Sequence, residues 1–198
     1  MCTDVVINVT LKAQKAVDDI LAKISLKKLY FNMLQTGRKA PTFKLQDQDG
    51  NFHTLKQYAG TWTVLYFYPK DNTPGCTKQA CLVAESYDVF KKRKIAVIGI
   101  SKDDIKSHKK FADKYSLPFT LLSDNEMKTI EKYKVLKEKK MFGKEVKGTV
   151  RATYIIDPDG KIAAGYPDVD PATHVTVILD ELPKLKREYN KRAKEAAA

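Results

Sequence analysis

Residues Trp62 to Tyr68 read WTVLYFY, an almost unbroken apolar and aromatic run that Pro69 stops. A strand of this composition has no polar face to give to water, so both of its faces need cover. A polar, turn-forming stretch follows, Lys70 to Gly75. Cys76 then opens an amphipathic helix with Ala80, Val83, Ala84, Tyr87 and Phe90 on one face. After the basic cluster Lys91 to Lys94, which suits the negative end of a helix dipole, comes a second apolar run, Ile95 to Ile100. It reads as a buried strand parallel to the first. Strand, helix and parallel strand in this order commit the chain to an α/β layered architecture.

The flanking sequence extends that unit on both sides. Ala40 to Leu45 and Asn51 to Thr54 read as a hairpin turning at Asp49-Gly50, and Leu55 to Tyr58 as one helical turn. Asp103 to Tyr115 has helical character, with Asp103 or Asp104 as N-cap. Pro118 to Leu122 is a strand and Asp124 to Tyr133 a short helix, whereas Lys137 to Lys147 has no periodicity and reads as a charged loop. Arg151 to Asp157, the turn at Pro158-Asp159-Gly160 and Lys161 to Tyr166 make a second hairpin. Pro171 to Ala193 is a closing helix, broken or kinked at Pro183. This order predicts an α/β fold with a central mixed β-sheet flanked by helices, the thioredoxin-like arrangement, over residues 37–198. Before it, residues 1–36 form an extension. Its first ten residues suit a short strand, and Ala13, Ala16, Val17, Ile20, Leu21 and Ile24 predict an amphipathic helix from about Leu11 to Leu34. That helix would pack on the domain or pair two copies into a homodimer. A transit peptide fits less well, because no arginine precedes Arg38 and Asp18 and Asp19 interrupt the stretch.

Composition narrows the function classes. Thirty-six basic against 24 acidic residues give a formal charge of +12; a Lys-rich solvated surface is the simpler reading, ahead of a nucleic-acid partner. No apolar run approaches the roughly 20 residues a membrane span needs. Three cysteines in 198 residues are too few and too odd for a disulfide scaffold. They point to a reducing setting, the cytoplasm first with the nucleus or an organelle left open, in which a cysteine pair is chemical rather than structural. His53, His108 and His174 lack ligand spacing, so no metal is expected. No phosphate-binding glycine motif is present, so nucleotide binding has no support.

The chemistry therefore falls on Cys76. A thiol acts as a nucleophile through its thiolate, which a helix N-terminus and a nearby cation favour. Arg151, at the start of a strand, is the candidate cation: it is always charged, and its fork can donate to two atoms at once. Thr73 can place a hydroxyl beside the sulfur, Pro69 and Pro74 stiffen the loop, and Gly75 lets the backbone approach closely. Cys81 lies five positions along the same helix, so C-x-x-C is absent. Five helical rises are about 7.5 Å, beyond the ~7 Å Cα limit of a disulfide. Were the two cysteines to bond, the first turns of the helix would have to unwind.

Pro69-x-x-x-Thr73-x-x-Cys76, in full PKDNTPGC, resembles the peroxidatic motif of the peroxiredoxins. Its continuation TPGCTKQAC is similar to the peroxiredoxin Q (bacterioferritin comigratory protein) subfamily, and APTFKLQDQDG and VRATYIIDPDG extend the likeness over about residues 37–182. The resemblance implies reduction of hydrogen peroxide and organic hydroperoxides, with neither a metal nor an organic cofactor required. Cys76 would be the peroxidatic nucleophile, Thr73 and Arg151 would align the peroxide, and Pro69 would shield the sulfur. Cys81 would resolve the sulfenic acid as an intramolecular disulfide, which thioredoxin or a similar dithiol protein would reduce. Two rivals stand beside this reading: a peroxide sensor using the same thiols to switch a partner, and a basic nucleic-acid-associated protein on the same fold.

Overall fold

The computed structural model describes residues 33–141 and 144–196. The strand and helix expected between residues 1 and 32, and Cys2, lie outside the described residues. Nine strands are described: β1 (Lys44–Asp47), β2 (Phe52–Thr54), β3 (Trp62–Phe67), β4 (Ile95–Ser101), β5 (Thr120–Ser123), β6 (Leu136–Met141), β7 (Lys144–Thr149), β8 (Ala152–Ile156) and β9 (Ile162–Pro167). The helices are α1 (Pro74–Glu85), α2 (Tyr87–Lys92), α3 (Ile105–Tyr115), α4 (Lys128–Lys132) and α5 (His174–Ala196).

Seven strands form one sheet in the order β2-β1-β5-β4-β3-β8-β9. The run Trp62–Phe67 is buried at every position, as its composition requires. It pairs parallel with β4, Val64 opposite Val97, and antiparallel with β8, Val64 opposite Ile155. The sheet is therefore mixed, and the fold is the thioredoxin-like one expected. Alternation along β3 divides the core. Val64, Tyr66 and Tyr68 join Ala80 and Val83 of α1, Phe90 of α2, Phe111 of α3 and Ile178 and Leu182 of α5. Leu65 and Phe67 face the other way, with Ile98, Ile130, Tyr133, Tyr154 and Met33.

Three expectations need correction. The single helix after Cys76 is two, α1 and α2, parted at Ser86, although the same apolar face continues through Ala80, Val83 and Phe90. Lys137–Lys147 is not a loop: β6 and β7 pair antiparallel from Leu136 opposite Thr149 to Met141 opposite Lys144. Among the described residues this hairpin forms a sheet of its own, and its sequence carries none of the apolar alternation that marks a strand lying on a core. Pro183 does not break the closing helix, which runs from His174 to Ala196 as one element. A proline there removes the hydrogen bond to the carbonyl four residues back. That carbonyl, Leu179 O, accepts from Arg93 Nη1 at 3.4 Å, and Lys186 Nζ donates in turn to Arg93 O at 3.1 Å. The end of α2 thereby compensates the gap in α5.

Candidate active site

α1 starts at Pro74, two residues before the expected start, and Cys76 is its third residue. Pro74 suits that place, because its fixed φ is helical and its missing N–H would have had no intrahelical acceptor. The N–H of Cys76 belongs to the same first turn, whose donors point out of the helix end. Thr73 is the N-cap in extended conformation, but it caps with its backbone: its carbonyl accepts from Thr77 N–H at 2.8 Å. Its hydroxyl donates to Lys70 O at 3.2 Å, which folds the loop on itself. Pro69, half-buried, follows the end of β3.

Antiparallel pairing of β3 with β8 brings the start of β8 to this helix end, Phe67 opposite Ala152. Arg151 therefore reaches the cysteine across 75 positions of sequence, with Nη2 donating to Cys76 Sγ at 3.4 Å. The sulfur belongs to a residue only 2 % exposed. Gly75 is what lets the guanidinium lie so close: a Cβ there would stand 3.3 Å from Arg151 Nη2. Of the residues singled out in the sequence, Cys76, Arg151 and Gly75 are brought into contact. Cys81 is half-buried in the next turn of the same unbroken helix, and both cysteines are free thiols.

The structure adds residues that sequence reasoning passed over. Arg151 Nη1 donates to Gln79 Oε1. Gln79 Nε2 lies 2.9 Å from His174 Nδ1, and His174 Nε2 lies 2.8 Å from Thr153 Oγ1. Gln79, His174 and Thr153 are all fully buried. Burial first, and the Arg151 charge second, push the His174 pKa down to about 3, so the ring is neutral near pH 7. Gln79 had one sequence signal, its position three residues after Cys76 on the same helix face. His174 and Thr153 had none, because no local pattern records which side chains a sheet brings together.

A second buried cluster fixes the loop from behind. Asp71 accepts from Tyr68 Oη at 2.7 Å and from Ser107 Oγ at 2.7 Å, and lies 2.9 Å from His108 Nδ1. Its own N–H donates to Asp103 Oδ2 at 2.9 Å. Burial alone would raise the Asp71 pKa. The bond to and charge of His108, with the Tyr68 and Ser107 hydroxyls, outweigh it and hold the carboxyl below its usual range. α3, capped by Asp104, thus grips the loop that carries Thr73.

Residues 36–164 match the model of the AhpC/TSA family. A putative peroxiredoxin bcp of Coxiella burnetii is 44% identical over 149 residues, which cover 75% of this chain and 99% of that protein. Peroxiredoxin Bcp of Bacillus subtilis is 42% identical over 149 residues, 75% of this chain and 95% of its own. The structure of Xanthomonas campestris peroxiredoxin Q superposes with a TM-score of 0.72 at 35% identity, over 75% of this chain and 97% of that one. The family match runs from ahead of β1 into β9 and takes in the cysteine helix and the arginine that meets it, and on that span the chain belongs to the AhpC/TSA family, among the peroxiredoxins of the Bcp and peroxiredoxin Q kind.

Proposed function

We propose that this peroxiredoxin, a thiol-dependent peroxidase, uses Cys76 as the peroxidatic nucleophile and Cys81 as the resolving thiol, on hydrogen peroxide and organic hydroperoxides. The observation that carries the assignment is Arg151 Nη2 at 3.4 Å from Cys76 Sγ, at the open end of a helix. A thiolate there attacks one oxygen of ROOH. The S–O bond forms as the O–O bond breaks, and the leaving alkoxide takes a proton to give ROH, leaving Cys76 as a sulfenic acid. Fixed donors stabilise the charge that develops on the departing oxygen: the Arg151 guanidinium and the first-turn N–H of Cys76. The Thr73 hydroxyl, whose proton goes to Lys70 O, can only accept at the site, which fits it to take a hydrogen bond from the peroxide O–H. In this reading Pro69 shields the sulfur.

The Cys81 thiol then condenses with the sulfenic acid, releasing water and forming an intramolecular disulfide. Thioredoxin, or another dithiol protein, reduces it by exchange and becomes a disulfide itself. Such cycling belongs in a reducing compartment.

Peroxide consumption coupled to a thioredoxin system tests the scheme. Cys76→Ser should abolish turnover. Cys81→Ser should keep the first oxidation and slow recycling by thioredoxin. Undiminished steady-state activity in Cys76→Ser would sink the mechanism. Oxidation of the wild type without repeated turnover by any dithiol protein would favour the sensor reading.

A further inference from the structure

Four hydrogen bonds lead from Thr153 to the sulfur of Cys76, and counting protons gives them a direction. Arginine has only donors, so Gln79 has to meet it with its carbonyl oxygen, and Arg151 Nη1 does donate to Gln79 Oε1. The amide nitrogen is then turned to His174 Nδ1 at 2.9 Å. An amide nitrogen only donates, so Nδ1 is the bare ring nitrogen. A neutral imidazole keeps one proton, which therefore sits on Nε2 and goes to Thr153 Oγ1 at 2.8 Å. Were the proton on Nδ1, Gln79 would turn its oxygen to the histidine and its amide nitrogen to Arg151, donor against donor. The amide is nearly symmetrical in shape, and Gln79 is fully buried, with no water to repair the clash. Packing alone does not choose its orientation; Arg151 on one side and the bare Nδ1 of His174 on the other call for the same one.

We infer that His174, as its Nε2–H tautomer, is a positioning residue for the peroxidatic reaction: its bare Nδ1 anchors the amide nitrogen of Gln79, keeps the amide oxygen on Arg151 and thereby holds the guanidinium on Cys76 Sγ. The inference rests on the peroxidatic role proposed for Cys76 and adds a residue that touches neither sulfur nor substrate.

The test combines one measurement on the wild type with two on variants. Nitrogen NMR of the reduced protein should show His174 protonated on Nε2 alone; a proton on Nδ1 overturns the inference. In His174→Phe, oxidation of Cys76 by hydrogen peroxide should fall by about tenfold or more, the scale of losing an aligned donor. Alkylation of Cys76 by iodoacetamide, which needs the thiolate but no peroxide alignment, should fall by less than the oxidation does. Loss of structure would do the opposite, exposing the buried sulfur and raising alkylation. The second variant asks whether orientation is the cause. In Gln79→Glu both oxygens accept from arginine, so the double variant Gln79→Glu/His174→Phe should oxidise within about threefold of Gln79→Glu alone. Wild-type oxidation in His174→Phe, a loss that Gln79→Glu does not relieve, or alkylation that rises with the loss each overturns the proposal. A wild-type Cys76 inert to peroxide overturns the peroxidatic reading as well, and shows itself whatever the tautomer.

Discussion

At the scale of the residue, His174 is a base denied its proton. Its pKa stands at 6.5 in the unfolded chain and at about 3 in the folded one. Between those values the unfolded state binds the extra proton, so stability is full above pH 6.5 and is lost as pH falls towards 3, by up to about 1.4 kcal/mol per pH unit. His174→Asn keeps an acceptor near the place of Nδ1 and does not titrate. From pH 6.5 to pH 5 the wild type should therefore lose about 2 kcal/mol more than His174→Asn in urea unfolding; identical losses would show that the ring is not held neutral. This residue also marks how far the sequence could be read. Cys76, Thr73, Pro69 and Arg151 stand out because loop chemistry and a known motif name them. His174 stands out only once β3 and β8 are paired and α5 is laid against α1. Sequence offered metal spacing as the sole criterion for a histidine, and a positioning role leaves no spacing to find.

At the scale of the element, α1 has two incompatible duties. As an intact helix it holds Cys76 at its open end and Gln79 under Arg151. In that form the five-residue step to Cys81 is about 7.5 Å along the axis, too long for a disulfide. A Cys76–Cys81 bridge therefore requires α1 to unwind, which also takes Gln79 from Arg151. Pro74 and the Asp71 cluster anchor the loop on one side, and α1 ends at Ser86 on the other. Amides from Lys78 to Glu85 should accordingly exchange at least about tenfold faster in the disulfide form than in the dithiol form, while those of Val64 to Phe67 keep their protection. Equal protection of α1 in both forms would mean that the two cysteines do not bridge within one chain. The elements themselves were legible in proportion to their burial. β3 and β4, covered on both faces, announced themselves as apolar runs. Among the described residues β6 and β7 pair only with each other, and the boundary at Ser86 was hidden because the apolar face carries on across it.

At the scale of the whole molecule, the family match is shorter than the chain. The family match begins at residue 36, and three quarters of this chain, 75%, spans 99% of the Coxiella relative. Of the residues placed at the site, those from Pro69 to Thr153 lie inside the family match, and His174 lies ten residues past its end at 164. The sequence put the boundary at residue 36, but the contacts of the preceding few residues decide where a cut is safe. Met33 is 6 % exposed within the core, and Leu34 N–H donates to Tyr154 Oη at 3.2 Å. Gly37 N–H reaches Ile162 O at 2.8 Å and Ala40 N–H reaches Gly160 O at 2.9 Å, tying the segment to β9 and its turn. Removing a buried methionine costs about 2–5 kcal/mol, enough to blur any result from a cut at 36. We place the cut after residue 32. The shortened protein should fold and oxidise peroxide within about twofold of the full chain, since none of the residues aligned on the sulfur is lost. Sedimentation of the two proteins side by side then reads the role of the extension. If the amphipathic segment pairs copies, the full chain sediments as a homodimer and the shortened one as a monomer; if it packs on its own domain, both sediment as monomers and the shortened one unfolds at lower urea. A shortened chain that cannot be recovered folded would make residues 1–32 part of the core and overturn the division into extension and domain.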